Sequence, residues 1–168
     1  MSNERNPFSS TGMPPDEKLQ AAVGRVAIRH WRLDRVLRLA LRSIDDITAE
    51  EAWSRTARMT SGLLCQCVRR AAKAAFGDND AFKQLDALLV AAAGATEEEN
   101  GLMQALCATG EDGGPPLRSR AGRREPVPGV PQLDSIADRL DLVAEQLSYA
   151  RRHGFLKEAL GQKGPAKG

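Results

Sequence analysis

The sequence predicts an all-α protein, a four-helix up-down bundle with one long Gly/Pro/Arg-rich loop before its last helix. Three observations lead there. Apolar residues recur at alternating steps of three and four in every long segment. Aromatic residues make up only 4% of a chain that is 42% hydrophobic, so Ala, Leu, Val and Ile must fill the interior. Capping signals fall between the periodic segments. At 168 residues one core is the expected unit. The predicted organisation is a flexible segment over 1–15, one bundle domain over 16–160 and a flexible tail over 161–168.

The first helix is expected from Asp16 to Ile44. Leu19, Val23, Val26, His30, Leu33, Leu37, Ala40 and Ile44 wind one seam along it. Arg25, Arg29, Arg32, Arg35, Arg38 and Arg42 face away from that seam. After Asp45 and Asp46, Thr48-Ala49-Glu50-Glu51 reads as a capping box in which the threonine hydroxyl and the glutamate carboxylate each satisfy a free amide. A second helix is predicted from there to Phe76, with Trp53, Leu63, Leu64, Cys67, Val68, Ala71 and Ala75 as its stripe. Gly77 is placed to end it in the left-handed region. Gly62 inside it costs about 1 kcal/mol relative to alanine, which a close helix contact would explain.

A third helix follows Asp78-Asn79-Asp80 through Phe82, Leu85, Leu89, Ala92, Met103 and Leu106. Gly94 with Thr96-Glu97-Glu98-Glu99 forms a second capping-box pattern, so this helix either kinks or restarts near Thr96. Thr109 to Val130 then holds five Gly, four Pro and four Arg, a composition that resists regular structure. Pro131 suits the first turn of a fourth helix, whose Leu133, Ile136, Leu140, Val143, Leu147 and Ala150 again step by three and four. Arg151, Arg152 and His153 suit its negative C-terminal end.

Charge and motifs restrict function by what they leave out. The net charge of +2 from 24 basic and 22 acidic residues is too balanced to imply nucleic acid or membrane binding by itself. The uncharged runs are about half of what a bilayer needs. The N-terminal stretch carries Glu4 and Arg5 and no secretion-type apolar region, and Cys65, Cys67 and Cys107 have no ligand-like spacing. A cytoplasmic location without membrane contact is the expectation. Phosphate-loop, dinucleotide, zinc and serine-elbow patterns are missing, so no cofactor and no metal site is predicted.

His30 lies on the first seam beside Trp31, where a neutral imidazole with a satisfied hydrogen bond is the simple reading. Its Arg25-x4-His30 spacing mimics a nuclease motif, but five helical residues turn the two side chains apart by roughly 140°. Arg25, Arg29 and Arg32, and the loop residues Arg118, Arg120, Arg123 and Arg124, form weak candidates for RNA contact, since phosphates are held largely by Arg and Lys. Against this, no stacking aromatics interleave with them, and a solvated face paired with neighbouring acids accounts for the same pattern.

The run Ala95-Thr96-Glu97-Glu98-Glu99-Asn100-Gly101-Leu102-Met103-Gln104-Ala105-Leu106 resembles the motif segment of HEPN-like bacterial helical proteins, in which an Arg-Asn-x-x-x-His core sits at this kind of place. Gly24-Arg25-Val26-Ala27 leading into Trp31-Arg32-Leu33-Asp34, the turn at Thr109 to Gly114 and the closing Gly154-Phe155-Leu156 are similar to theirs too. The resemblance implies a four-helix bundle that dimerises and pairs two motifs into a metal-independent ribonuclease site. There the histidine handles a proton and the arginine stabilises phosphoryl charge. This chain departs at both positions. Glu99 stands for the arginine and Gln104 for the histidine, while Asn100 keeps its place. Glutamine cannot act as a general base near neutral pH, and a carboxylate repels phosphate. The expectation is therefore a pseudoenzyme that works through association, as a homodimer or with a partner protein and with some affinity for RNA. The alternatives are a HEPN-class or toxin-type ribonuclease using other residues, and a plain RNA-binding helical module.

Overall fold

The computed structural model describes residues 16–107 and 128–162, and all of their regular structure is helical. The helices are α1 Glu17–Asp45, α2 Ala49–Thr56, α3 Ser61–Phe76, α4 Asp80–Cys107, α5 Val130–Arg152 and α6 Phe155–Gln162. The predicted N-terminal segment 1–15, most of the Arg-rich loop, and residues 163–168 lie outside the described residues. Residues 161 and 162, expected in the tail, complete α6 instead.

Local chemistry explains most boundaries. Asp16 caps α1 by accepting from the Lys18 amide at 2.9 Å. Asp46 ends it in the left-handed region at φ 53°, where Asp is among the few side chains tolerated. The Thr48 capping box forms as expected, with Glu51 Oε2 accepting from the Thr48 amide at 2.8 Å and Thr48 Oγ1 accepting from the Glu51 amide at 3.2 Å. Gly77 closes α3 at φ 64°. Gly154 marks the α5–α6 turn: a Cβ there would meet the Ala150 Cα at 3.2 Å. The short α6 beyond it was not anticipated by the apolar periodicity.

The predicted second helix is two helices. Thr56 is buried and donates its hydroxyl to the Ala52 carbonyl at 2.7 Å, and Thr60 starts α3 by capping Leu63 at 3.4 Å. The chain reverses between them. Ala49, Ala52 and Trp53 pack back along Arg42, Leu39 and Arg38 of α1, whereas α3 climbs again from Ser61, which meets His30 and Asp34, to Arg69, which pairs with Asp86 of α4. Gly62 has nothing within 4 Å of an added Cβ, so no close helix contact explains it; it lies in the first turn of α3. The third predicted helix is a single α4. It does not restart at Thr96, which is buried and bonds back to the Ala92 and Ala93 carbonyls at 3.1 and 2.9 Å rather than capping a new turn.

The ion pairs fix helix direction. Arg25 meets Asp134, Arg32 meets Asp141, and Arg42 lies with Arg151; these pairings keep step along both helices, so α1 and α5 run parallel. Glu98 pairs with Arg139 while Leu88 lies with Leu142, so α4 runs against α5. The chain therefore rises in α1, descends in the short α2, rises in α3, descends in α4 and rises in α5. That alternation has five arms where four were expected, and the extra reversal falls inside the predicted second helix. Helix α1 is the hub: it packs on α5, α3 and α2, while α4 closes the far side against α3 and α5. Leu33, Leu37, Leu64, Leu85, Leu89, Leu133, Leu140 and Leu147 fill the interior between these helices. Among the described residues no helix is long and apolar enough to cross a membrane.

Candidate functional site

The flank of α1 facing α3 and α4 carries polar residues that converge. His30 stands on α1, half-buried rather than on the core seam itself. Its Nδ1 bonds the buried Glu99 carboxylate of α4. Its Nε2 lies 2.8 Å from Ser61 Oγ, the first residue of α3, and Ser61 donates to Asp34 Oδ1 at 2.7 Å. Asp34, one turn beyond His30, also receives Arg38 Nη1 at 3.5 Å. Arg38 Nε donates to Thr56 Oγ1 at 3.0 Å and its guanidinium lies 4.9 Å over the Trp53 ring. The chain Glu99, His30, Ser61, Asp34, Arg38, Thr56 thus ties four helices together.

The proton arrangement decides what this chain of groups can do. Ser61, His30 and Glu99 have the connectivity of a serine nucleophile, a base and an orienting carboxylate. Yet the single Ser61 proton goes to Asp34, so the hydroxyl faces His30 as an acceptor. That requires a proton on Nε2 while Nδ1 donates to Glu99, which is the imidazolium form. The hydrogen bond to Glu99, opposed by burial and aided by the charges of Glu99 and Asp34, raises the His30 pKa above its ordinary value. A protonated imidazole cannot take a proton from serine. With Ser61 donating to Asp34, the arrangement is that of an ionic clasp. Burial, with a smaller push from Asp34, likewise raises the Cys65 thiol one turn further along α3 to about 11.

The motif positions on α4 part company. Glu99 is buried in the clasp, Asn100 and Gln104 are exposed, and five residues of helix turn Glu99 and Gln104 apart by roughly 140°. The one satisfied hydrogen bond read from the sequence is two in the structure, and the carboxylates of Glu99 and Asp34 beside the imidazole raise its pKa. The clasp itself escaped the sequence reading. His30 to Glu99 spans 69 residues, and no periodicity reports a contact of that range; an ionisable residue on the flank of an apolar seam was the available signal.

The arginine face is largely engaged. Arg25 pairs with Asp134 at 2.6 Å, Arg29 with Asp141 at 3.3 Å, and Arg32 with both Asp141 and Glu145. Arg118, Arg120, Arg123 and Arg124 lie outside the described residues. Among the described residues, no group of three or more His, Cys, Asp or Glu is placed to hold a metal ion. Large apolar side chains on the helices of the clasp stand in solvent: Ile28 and Trp31 on α1, Trp53 on α2 and Leu63 on α3. Comparison with family models, with curated proteins and with solved structures gives no match.

Proposed function

We propose that this protein is a non-catalytic, HEPN-like helical bundle that acts by association, pairing with a second copy through the α1–α2 face that carries Trp31 and Trp53. The observation that carries the reading is that face. Trp31 and Trp53 are each more than half exposed, as is Ile28 one turn before Trp31 on α1, whereas isolated surface apolar residues would call for no partner. Arg35 lies 5.7 Å over Trp31 and Arg38 over Trp53. Trp and Arg together are the residues enriched at interface hot spots. Absence of catalysis is supported by the motif itself, since the carboxylate at position 99 is spent on His30 and the side chain at 104 carries no titratable proton. In this reading the four long helices α1, α3, α4 and α5 are the family's four-helix bundle and α2 is an insertion that presents Trp53.

Light scattering tests the association directly. Wild type is expected at twice the 18.2 kDa chain mass, and Trp31→Ser with Trp53→Ser at the chain mass with an unchanged helical spectrum. A wild-type monomer at high micromolar concentration refutes it. In the same preparations RNA is expected to survive intact. Chelator-resistant cleavage that disappears in Asn100→Ala would replace this reading with the ribonuclease alternative.

A further inference from the structure

The parallel course of α1 and α5 brings their last turns together, and with them Arg42 and Arg151. The two line a polar cavity of about 310 Å³ with Leu39, Ser43, Asp46 and Ile47. Among the described residues neither guanidinium has a hydrogen bond or an ion pair, and the Arg151 Nε is buried with no partner. Arg152, next along α5, spends its own donors on Ser148 Oγ at 2.7 and 3.2 Å. Buried polar atoms are nearly always bonded, so this one asks for an explanation.

Helix C-termini attract cations and account for arginines at these positions. They do not by themselves account for the idle donors, since among the described residues neither guanidinium bonds a terminal carbonyl and two of those carbonyls are held by amides. Arg42 O accepts from the amides of Asp46 and Ile47, Tyr149 O from those of His153 and Gly154, and Ser43 Oγ is committed to Leu39 O at 3.0 Å. What remains is two arginines lining one cavity, Arg42 exposed and Arg151 partly buried with its Nε enclosed, and Asp46 as the sole carboxylate in that lining. Burial, with smaller contributions from the charges of Arg152 and Arg42, lowers the Arg151 pKa.

We propose that this cavity binds the phosphate group of a small phosphomonoester. Guanidinium forks match phosphate oxygens in bidentate geometry. Liquid water takes about 30 Å³ per molecule, so the space exceeds what a bare phosphate fills and admits a sugar-sized group beside it. The Asp46 carboxylate and the Ser43 oxygen, both acceptors, suit the hydroxyls of such a group and disfavour a second phosphate. The site lies at the end of the molecule where α1 and α5 finish, away from the clasp, and is independent of the association proposed above.

The Nε–H resonance of Arg151 in ¹⁵N-labelled full-length protein reports on the site without any mutation. Titration with a ribonucleoside 5′-monophosphate, at ionic strength held constant with chloride, is expected to shift it saturably. Inorganic phosphate should act more weakly and the unphosphorylated nucleoside not at all. Arg151→Gln and Arg42→Gln are each expected to weaken binding about tenfold or more, and Arg70→Gln on the surface of α3 to leave it unchanged. No saturable shift into the millimolar range overturns the proposal. So does equal weakening by Arg70→Gln, which marks nonspecific charge, or a response to oligoribonucleotide alone, which marks a polymer backbone as the ligand.

Discussion

On the flank of α1 that meets α5, Arg25, Arg29 and Arg32 reach carboxylates across open surface; on the flank that meets α3 and α4, His30, Asp34 and Arg38 are drawn into a half-buried chain ending at Glu99 and Thr56. Both flanks pair opposite charges, the first between α1 and α5 and the second along α1 and across to α4. The first is a ladder of exposed pairs, each worth little because water and salt compete. The second is removed from bulk water, and each member there depends on its neighbours, because a buried group deprived of its partner keeps its desolvation cost. The contrast separates charges that keep the chain in register from charges that, with Ser61 and Thr56, hold four helices at fixed distances.

The sharpest break between the flanks is chemical reactivity. Cys65 sits behind Asp34 with its pKa raised from 9.0 to about 11, so its thiolate population near neutral pH falls by about a hundredfold, and burial blocks reagent besides. Cys107 is exposed at the end of α4. Timed alkylation of native protein with peptide mapping is expected to label Cys107 more than a hundredfold faster than Cys65. Comparable rates would show that the α1–α3 flank opens freely.

Next in size is removal of the carboxylate. Glu99→Ala strands His30 and is expected to destabilise the fold by about 1–3 kcal/mol in urea titration. A change within about 0.5 kcal/mol, the range of an ordinary surface substitution, would mean that the clasp holds nothing. The pH profile sharpens the same point. The folded His30 pKa is raised above 6.5, so the folded state binds this proton more tightly than the unfolded chain does. The resulting stabilisation is complete below about pH 6.5 and drains away as pH climbs through the folded value. Wild type is expected to lose stability on going from mildly acidic to alkaline buffer, and Glu99→Gln to lose less over the same interval. Parallel profiles would show that Glu99 does not set the titration.

Much of the helical scaffold was legible because it rests on local rules. The seam of α1, the Thr48 capping box, the Gly77 terminus and the start of α5 at Pro131 each depend on a few adjacent residues. The errors arose where one local signal concealed another. Trp53 and Leu63 fit a helical stripe only if the helix continues through Thr56 and Thr60, yet both are exposed because it does not. Thr60-Ser61-Gly62, a capping residue before two poor helix formers, was the overlooked signal. At Thr96 the reverse happened: a capping pattern lay on the buried face of a continuous helix, where the hydroxyl satisfies itself within its own backbone. The clasp and the Arg42–Arg151 cavity depend on which helices run parallel, and that is a property of tertiary packing rather than of any segment.

The smallest expected effect belongs to the ladder, where the ionic strength of the buffer becomes the informative variable. Asp141 accepts from both Arg29 and Arg32 and is less exposed than Asp134, so Asp141→Asn is expected to cost about 0.2–1 kcal/mol at low salt. Asp134→Asn removes one pair whose members are both nearly half exposed and should sit at the bottom of that range. Molar salt shortens the screening length to about 3 Å, so both effects should shrink towards zero while the Glu99→Ala penalty persists. The ordering follows from geometry: a carboxylate shared by two guanidiniums on successive turns weakens two contacts when neutralised, with Glu145 left as a partner for Arg32 alone. Urea titrations of the three variants at low and high salt would measure it. If the Asp141 and Glu99 penalties fall together with salt, the two flanks of α1 are electrostatically alike, and the clasp is only another surface pair.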